Sequence, residues 1–323
     1  MITLMKKIEK KKRILLKISN LRFKRCKSEF KSVTEEWLKY VRNNVKKSTY
    51  YNYTYSVEKY LYPEFEGKDI TKIRDINDFV TRLSGSLASK TVRDIIAKLK
   101  EIIKYYEEEN NVKLNIKKIS LPKIKRKEIQ ILNKKEKESL EDYCKSQNTL
   151  QALGIMICLN TGLRIGEICA LKWEDINLNE RKIYVRKTIE RVYIRRKRKS
   201  KIIIDTPKSR SSVREIPINK KLYSWLKREK GKCNDDCFIL TGSEKRYLEP
   251  RNYQYNFKAI LKKNNLRKLK FHTLRHTFAT NCIEAGMDIK SLSEILGHAD
   301  VSVTLNIYVH SSDKIKRKYL DKI

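Results

Sequence analysis

Strand-like alternation of apolar and polar residues is confined to one stretch of this chain, and helical periodicity lies on both sides of it. Alternating segments occur between about residues 183 and 216. Upstream, apolar residues recur at helical spacing from Val92 to Tyr106, and further helical segments follow downstream. The length of 323 residues exceeds the ~250–300 residues at which one core usually stops growing. We therefore predict a mainly α protein of the α+β class, with a small β-sheet and two domains.

The first predicted domain, residues 30–116, is a bundle of four short helices. A capping box of Ser32 and Glu35 is expected to open the first helix. The other helices are expected at about 48–61, 76–83 and 92–106, with Gly85 ending the third. A basic arm, residues 1–29, precedes the bundle. A basic linker that contains Pro122 follows it over residues 117–132.

The second predicted domain covers residues 133–310 and is followed by a basic tail, residues 311–323. Asn133, with Glu136 three residues later, is expected to cap its first helix. Thr161 and Gly162 form a turn between two apolar helices. The strands flank a hairpin whose tip is the basic run at 195–199.

The composition indicates a polyanionic partner and an intracellular environment. Lys and Arg number 75 against 38 Asp and Glu, a net charge of +37, and nucleic acid is the usual partner for such an excess. A highly soluble basic protein from a lysine-rich proteome is the alternative. The seven cysteines lack a disulfide rhythm, which fits a reducing cytoplasm. No apolar stretch approaches the ~18 residues of a membrane span.

The residues that suggest chemistry are histidines, arginines, a lysine and a late tyrosine. All four histidines lie between Phe271 and His310. Cleavage of a phosphodiester needs a nucleophile, positive donors for the non-bridging oxygens and an acid for the leaving oxygen. Arginine suits the second task, because its planar fork binds phosphate oxygens in pairs and stays charged. Two arginines together with the histidines, the lysine and the late tyrosine therefore indicate a phosphodiester-cleaving site without a metal.

The chain resembles the tyrosine recombinases, which are also called the phage integrase family. By motif the resemblance covers about residues 133–310, and by architecture alone residues 30–120. It implies a core-binding, SAM-like helical bundle and a mixed α/β catalytic domain that together clamp duplex DNA. The residues that match the catalytic pattern are Arg164, Lys208, His272, Arg275, His298 and Tyr308.

The resemblance also implies a role for each of these residues. Tyr308 attacks the scissile phosphate and forms a 3′-phosphotyrosyl link, while Lys208 protonates the leaving 5′ oxygen. Arg164 and Arg275 hold the phosphoryl oxygens. The supporting roles fall to His272, which helps take the tyrosine proton, His298, which donates a hydrogen bond to the phosphate, and Glu167, which supports the site structurally.

The implied reaction keeps the bond energy in the protein–DNA link. The resemblance therefore implies DNA integration by site-specific recombination with no metal, no ATP and no other cofactor. It further implies a homotetramer on two synapsed sites, with DNA-bending accessory factors as additional partners. A type IB topoisomerase, which shares this chemistry, and a DNA-binding regulator without activity are the alternatives.

Several residues also allow simpler interpretations. Tyr308 is one of 18 tyrosines, and Lys201 or Arg210 could replace Lys208 as the acid. His272 and His276 have the spacing of metal ligands on a helix, but no carboxylate completes a set. We interpret His276 as a packing residue behind the site, and His310 as peripheral.

Basic residues and one tyrosine outside the site are expected to contact the DNA backbone. A tyrosine cluster near residue 50 could instead belong to the core, and the hairpin tip could simply be solvated. The expected DNA-contact residues are Lys46, Lys47, Tyr50, Lys123, Lys125, Arg126, Lys127, Arg195, Arg196, Lys197, Arg198, Lys199 and Arg210.

Overall fold

The computed structural model describes residues 28–124, 128–206, 213–309 and 321. The described residues form two compact units. One unit comprises residues 28–124 with the short segment 192–200, and the other comprises 128–191 with the described residues from 201 onward. No helix within these ranges is long and apolar enough to cross a membrane.

The first unit is helical, and a π-helical turn, Val57–Leu61, lies between two of its α-helices. Its helices are α1 (Phe30–Asn44), α2 (Lys47–Ser56), α3 (Tyr62–Phe65), α4 (Asn77–Ser86) and α5 (Ser89–Asn110). Helix α5 buries the whole predicted apolar stripe, from Val92 through Leu99 to Tyr106. The other helices pack their own apolar faces against this stripe in a single core. The helical periodicity read from the sequence is thus confirmed.

Two predicted helix boundaries in this unit are wrong. Helix α1 already begins at Phe30, so Ser32 lies inside it and cannot cap it. The Ser32 hydroxyl instead donates to Glu29 Oε2 at 3.2 Å. Helix α4 continues through Gly85 to Ser86, because Gly85 does not adopt the left-handed conformation that would end a helix.

The segment after α5 has no regular structure, but its beginning packs against the helical core. Leu114, Ile116, Ile119 and Leu121 are partly buried there. The backbone N–H of Ser120 donates to Asn77 Oδ1 at 2.9 Å. The apolar positions of this basic segment therefore hold it against the first unit up to about residue 122.

The second unit combines helices with two small antiparallel sheets. The three-stranded sheet has the order β1-β2-β5, with Ile183 opposite Ile216, and β3 pairs with β4. The strands are β1 (Ile176–Asn177), β2 (Lys182–Val185), β3 (Thr188–Ile194), β4 (Lys199–Asp205) and β5 (Arg214–Pro217). The helices are α6 (Lys134–Gln147), α7 (Leu150–Thr161), α8 (Ile165–Ala170), α9 (Lys220–Glu229), α10 (Pro250–Lys263), α11 (His272–Glu284), α12 (Ile289–Leu296) and α13 (Ser302–Val309). The mainly α, α+β class is confirmed.

The apolar helix α7 is buried along nearly its whole length at the centre of this unit. It ends at Gly162, whose φ of +66° is the left-handed conformation that glycine adopts without a steric penalty. Helix α8 begins directly after Arg164. The predicted capping box at the start of α6 is present, since Asn133 Oδ1 accepts from the Glu136 N–H at 2.9 Å. The core therefore fixes the turn on which Arg164 stands.

Candidate active site

Arg164 occupies the N-cap of α8 and is held by Glu167 one turn later. The Glu167 carboxylate accepts from the backbone N–H of Arg164 at 2.9 Å and from its Nη1 at 2.8 Å. Glu167 is 2% exposed, whereas the Arg164 side chain is 36% exposed. The buried carboxylate thus fixes a guanidinium that still reaches solvent.

Arg214 on β5 binds the same carboxylate from the other side. Its Nη1 and Nη2 lie 3.2 and 3.0 Å from the two Glu167 oxygens, and its Nε donates to the Ile295 carbonyl at 2.6 Å. Burial alone would raise the pKa of Glu167, but Arg214 and then Arg164 outweigh it, so this pKa lies below its usual value. We did not predict a role for Arg214 from the sequence.

Arg275, on the first turn of α11, is 3% exposed. Its Nη1 donates to the Gly162 carbonyl, and its Nη2 donates to the Leu296 carbonyl, both at 2.8 Å. The same Nη2 lies 2.8 Å from His298 Nε2. Burial, followed by the charge of Arg164, lowers the pKa of Arg275 to about 9, so it remains charged at neutral pH.

The C-terminal end of α12 brings the three arginines together. Three successive carbonyls at this end, those of residues 295, 296 and 297, accept from Arg214, Arg275 and Arg164 respectively. The last carbonyls of a helix lack helical partners and carry its negative partial charge, which attracts cations. Gly297 has a φ of +66°, and a Cβ there would lie 3.0 Å from Arg214 Cδ and Nη1. The helix end therefore needs glycine to accept this arginine cluster.

His298 follows directly and connects the cluster to the last helix. Its Nδ1 lies 2.8 Å from the hydroxyl of Thr304, a fully buried residue of α13. Burial and then the charge of Arg275 lower the pKa of His298 to about 4, so its ring is neutral at neutral pH. Thr304 is a second residue whose position here we did not predict.

His272 and His276 stand one turn apart on α11 with their rings edge to face, 4.5 Å between centroids. Partial burial and then His276 lower the pKa of His272, while burial and then Arg275 lower that of His276. The Nδ1 atom of His276 is buried with no hydrogen-bond partner in the described part of the chain. Among all the residues that the structure describes, there is no cluster of three or more Asp, Glu, Cys or His side chains that could hold a metal.

The backbone of Tyr308 belongs to α13, one helical turn after Thr304. The Tyr308 side chain lies outside what the structure describes, and so do Lys208, Arg210 and His310. Lys201, the alternative acid, is exposed on β4. The described geometry therefore unites Arg164, Arg275 and His298 with the helix that carries Tyr308.

Comparison with known proteins identifies this arrangement. Residues 130–314, more than half of the chain, match the phage integrase family, and residues 29–84 match the N-terminal SAM-like domain of phage integrases. The chain belongs to the phage integrase family. It is a tyrosine-type site-specific recombinase, an enzyme that exchanges DNA strands.

Three curated relatives match this recombinase over most of their length. A XerC-like tyrosine recombinase from Caldanaerobacter subterraneus subsp. tengcongensis is 30% identical over 89% of this chain and 80% of that protein. The ICEBs1 integrase of Bacillus subtilis is 27% identical over 86% and 78%. The integrase of Staphylococcus phage L54a is 26% identical over 91% and 92%.

Solved structures share the fold of this recombinase. The Tn1549 transposon integrase in complex with transposon right-end DNA is 24% identical, with a TM-score of 0.74 over 91% of this chain and 99% of that one. A lambda integrase dimer bound to a COC′ core site is 16% identical, with a TM-score of 0.61 over 85% and 76%.

The expected DNA-contact residues lie mainly at exposed positions of the recombinase. The hairpin tip is a 3-10 turn, Arg195–Lys197, followed by Arg198 in a left-handed conformation. The side chains of Arg195, Lys197, Arg198 and Lys199 are exposed, and that of Arg196 lies outside the described set.

In the first unit, Lys46 occupies the N-cap position of α2, and Lys47 is exposed on its first turn. Tyr50 packs partly against the core, and Lys123 is exposed beyond it. Lys125, Arg126 and Lys127 lie outside the described residues.

Proposed function

We propose that this recombinase cleaves and rejoins duplex DNA through a 3′-phosphotyrosyl link to Tyr308, without metal or ATP. The single observation that supports this most is the arginine cluster at the end of α12. Arg164, Arg214 and Arg275 surround one carboxylate, Glu167, so the described cluster carries two positive charges more than negative ones. A partly exposed guanidinium beside such a buried positive cluster is a site for a phosphate.

Arg164 and Arg275 are proposed to bind the non-bridging oxygens of the scissile phosphate. A guanidinium has five N–H donors, and the three described bonds of Arg275 leave at most two of them for a phosphate. Within the described part of the chain, the more exposed Arg164 uses two side-chain donors, on Glu167 and the Gly297 carbonyl. In the described, DNA-free arrangement, three side-chain donors of Arg164 and two of Arg275 are therefore available to a phosphate.

Tyr308 is the proposed nucleophile. A free phenol has a pKa near ~10, so only about one tyrosine in a thousand is ionised at neutral pH. Nearby cations favour the phenolate, and His272, whose lowered pKa keeps it neutral, can take the phenolic proton. Lys208 gives a proton to the leaving 5′ oxygen, and a 5′ hydroxyl of the partner strand later reverses the step. Because the phosphotyrosyl bond replaces the phosphodiester, no external energy source is needed.

The helical domain, residues 30–116, and the catalytic domain, residues 133–310, which the linker 117–132 joins, are both proposed to bind the DNA. The net charge of +37 and the exposed basic hairpin tip support this proposal. Related integrases of the same fold have been solved with DNA bound. We further propose a homotetramer on two synapsed sites, assisted by DNA-bending factors, within the cytoplasm. The integrases among its relatives suggest that it serves a mobile element.

A nicked suicide duplex in excess EDTA tests this function. Cleavage near the nick releases a short fragment, so the covalent protein–DNA complex accumulates and can be counted on a denaturing gel. We expect a complex with the unmodified protein and none with Tyr308→Phe. Tyr255→Phe is the matched control, because Tyr255 is 51% exposed. Within the described residues its hydroxyl has one hydrogen bond, which it accepts from Arg251 Nε. Absence of a complex, or a requirement for added metal, contradicts the proposal.

A further inference from the structure

Thr304 joins the helix of the nucleophile to the phosphate-binding cluster. It is fully buried on α13, and its Oγ1 lies 2.8 Å from His298 Nδ1. The other ring nitrogen of His298, Nε2, lies 2.8 Å from Arg275 Nη2. The imidazole is therefore held at both nitrogens. The guanidinium of Arg275 can only donate, whereas the hydroxyl of Thr304 can donate or accept.

These contacts determine where the ring proton lies. A guanidinium has no acceptor, so His298 Nε2 must accept from Arg275. The ring is neutral at pH 7, because its pKa is about 4, and it carries a single proton. That proton lies on Nδ1 and is donated to the Thr304 hydroxyl.

This tautomer cannot perform the role that the family resemblance implies for His298, which is to donate a hydrogen bond to the phosphate. Donation to a phosphate from Nε2 requires a proton on Nε2, which the DNA-free arrangement does not have. The imidazolium would supply it, but with a pKa of about 4 only about one ring in a thousand is charged at pH 7. The neutral ring must therefore change tautomer when the phosphate arrives and Arg275 turns its donors toward it.

We propose that Thr304 is a positioning residue whose hydroxyl serves both tautomers of His298. Before DNA binds, the hydroxyl accepts from Nδ1–H; once the phosphate accepts from Nε2–H, the hydroxyl rotates and donates to Nδ1. One proton leaves Nδ1 for solvent and one is taken up at Nε2, so the charge of the ring is unchanged. This inference rests on the proposed function, since it concerns the same phosphate.

The test compares single-turnover cleavage of the suicide duplex by two variants of the full-length protein. Thr304→Val keeps the shape but removes the hydroxyl, which leaves Nδ1 without a partner in both tautomers and the ring without the bond that fixes its orientation. We expect cleavage about ten- to a hundredfold slower, because a ring that is no longer held aligns its donor poorly on the phosphate, and losing such a donor outright costs roughly 10²–10³ in rate. Thr304→Ser should restore most of the lost rate. Equal rates for Thr304→Val and the unmodified protein overturn the inference.

A double-mutant cycle separates this role from simple packing. In a His298→Gln background, Thr304→Val should change the cleavage rate less than twofold, because its effect passes through the ring. An undiminished loss in that background means that Thr304 acts on the helix alone and contradicts the proposal.

Selective ¹⁵N labelling of histidine adds a direct readout of the tautomer. The ring shifts should report protonated Nδ1 in the free protein and protonated Nε2 with DNA bound to the Tyr308→Phe variant. Protonated Nδ1 in both states contradicts the proposal. If the unmodified protein forms no covalent complex at all, the proposed function fails rather than the assignment of Thr304.

Discussion

Replacing Arg214 with methionine should weaken both the stability of the catalytic unit and the alignment of Arg164. Methionine retains an unbranched apolar side chain but removes the charge and all three described hydrogen bonds. The Arg214 side chain is 6% exposed and its partner Glu167 is 2% exposed, so water cannot replace the lost donors.

The expected size follows from the burial of this pair. Removing one partner of a buried ion pair costs roughly 3–5 kcal/mol. Glu167 keeps Arg164 as a partner, so we expect the lower end, about 3 kcal/mol, or roughly 6–12 °C in the melting temperature for a unit of this size. Cleavage should slow by less than the ~10²–10³ expected for losing a catalytic arginine outright.

Urea unfolding and single-turnover cleavage measure the two effects. Lys182→Met is the matched control, because Lys182 on the neighbouring strand β2 forms an exposed ion pair with Glu215 at 2.9 Å, in which the two side chains are 41% and 55% exposed. Exposed pairs contribute only about 0–1 kcal/mol. If Arg214→Met changes the free energy of unfolding and the cleavage rate no more than this control does, Arg214 does not hold Glu167 and Arg164 in place.

Three further results are expected. Arg164→Ala or Arg275→Ala should lower the cleavage rate at least ~10²-fold while DNA binding, measured by fluorescence anisotropy, falls much less; equal losses in both would indicate a role in affinity alone. Because the folded pKa of His298 is about 4 and the ordinary value is 6.5, the unfolded chain takes up the proton first as pH falls. The unfolding free energy should therefore decrease between pH 6.5 and 4, and His298→Gln should make that slope shallower in urea titrations, whereas an unchanged slope excludes this histidine. DNA affinity should fall steeply with salt, and Arg195→Ala or Lys197→Ala should each reduce the log–log slope by roughly one; an unaltered slope would mean that the tip does not touch phosphate.

Local sequence signals predicted the regular elements well where a core supported them. The stripe on α5 satisfied both helical spacing and burial, so the helix followed. Two capping-box patterns had opposite outcomes, because Asn133 stands outside its helix whereas Ser32 lies within one that starts at Phe30. A capping motif indicates where a helix can begin, but packing of the preceding residue decides where it does begin.

The residues that hold the catalytic side chains in place were harder to predict, because they act through contacts between segments that are distant in sequence. Arg214 meets Glu167 and Ile295, which are 47 and 81 residues away in sequence. One signal was available: Arg214 precedes Ile216 by two residues in a strand, so both side chains face the same side, and Ile216 is buried. An arginine at an inward-facing position needs a buried acidic partner. The contact of Thr304 with His298 had no comparable signal.

Mapping the DNA-linked residue by mass spectrometry tests the role of Tyr308 most directly. The trapped complex would be digested with nuclease and trypsin, and the tryptic peptide Ser291–Lys314 contains one tyrosine, Tyr308. We predict that this peptide carries a nucleotide joined to the phenolic oxygen through its 3′ phosphate, and that the released strand begins with a free 5′ hydroxyl. A nucleotide on any other residue, or attachment through a 5′ phosphate, would contradict the assignment of Tyr308 as the nucleophile.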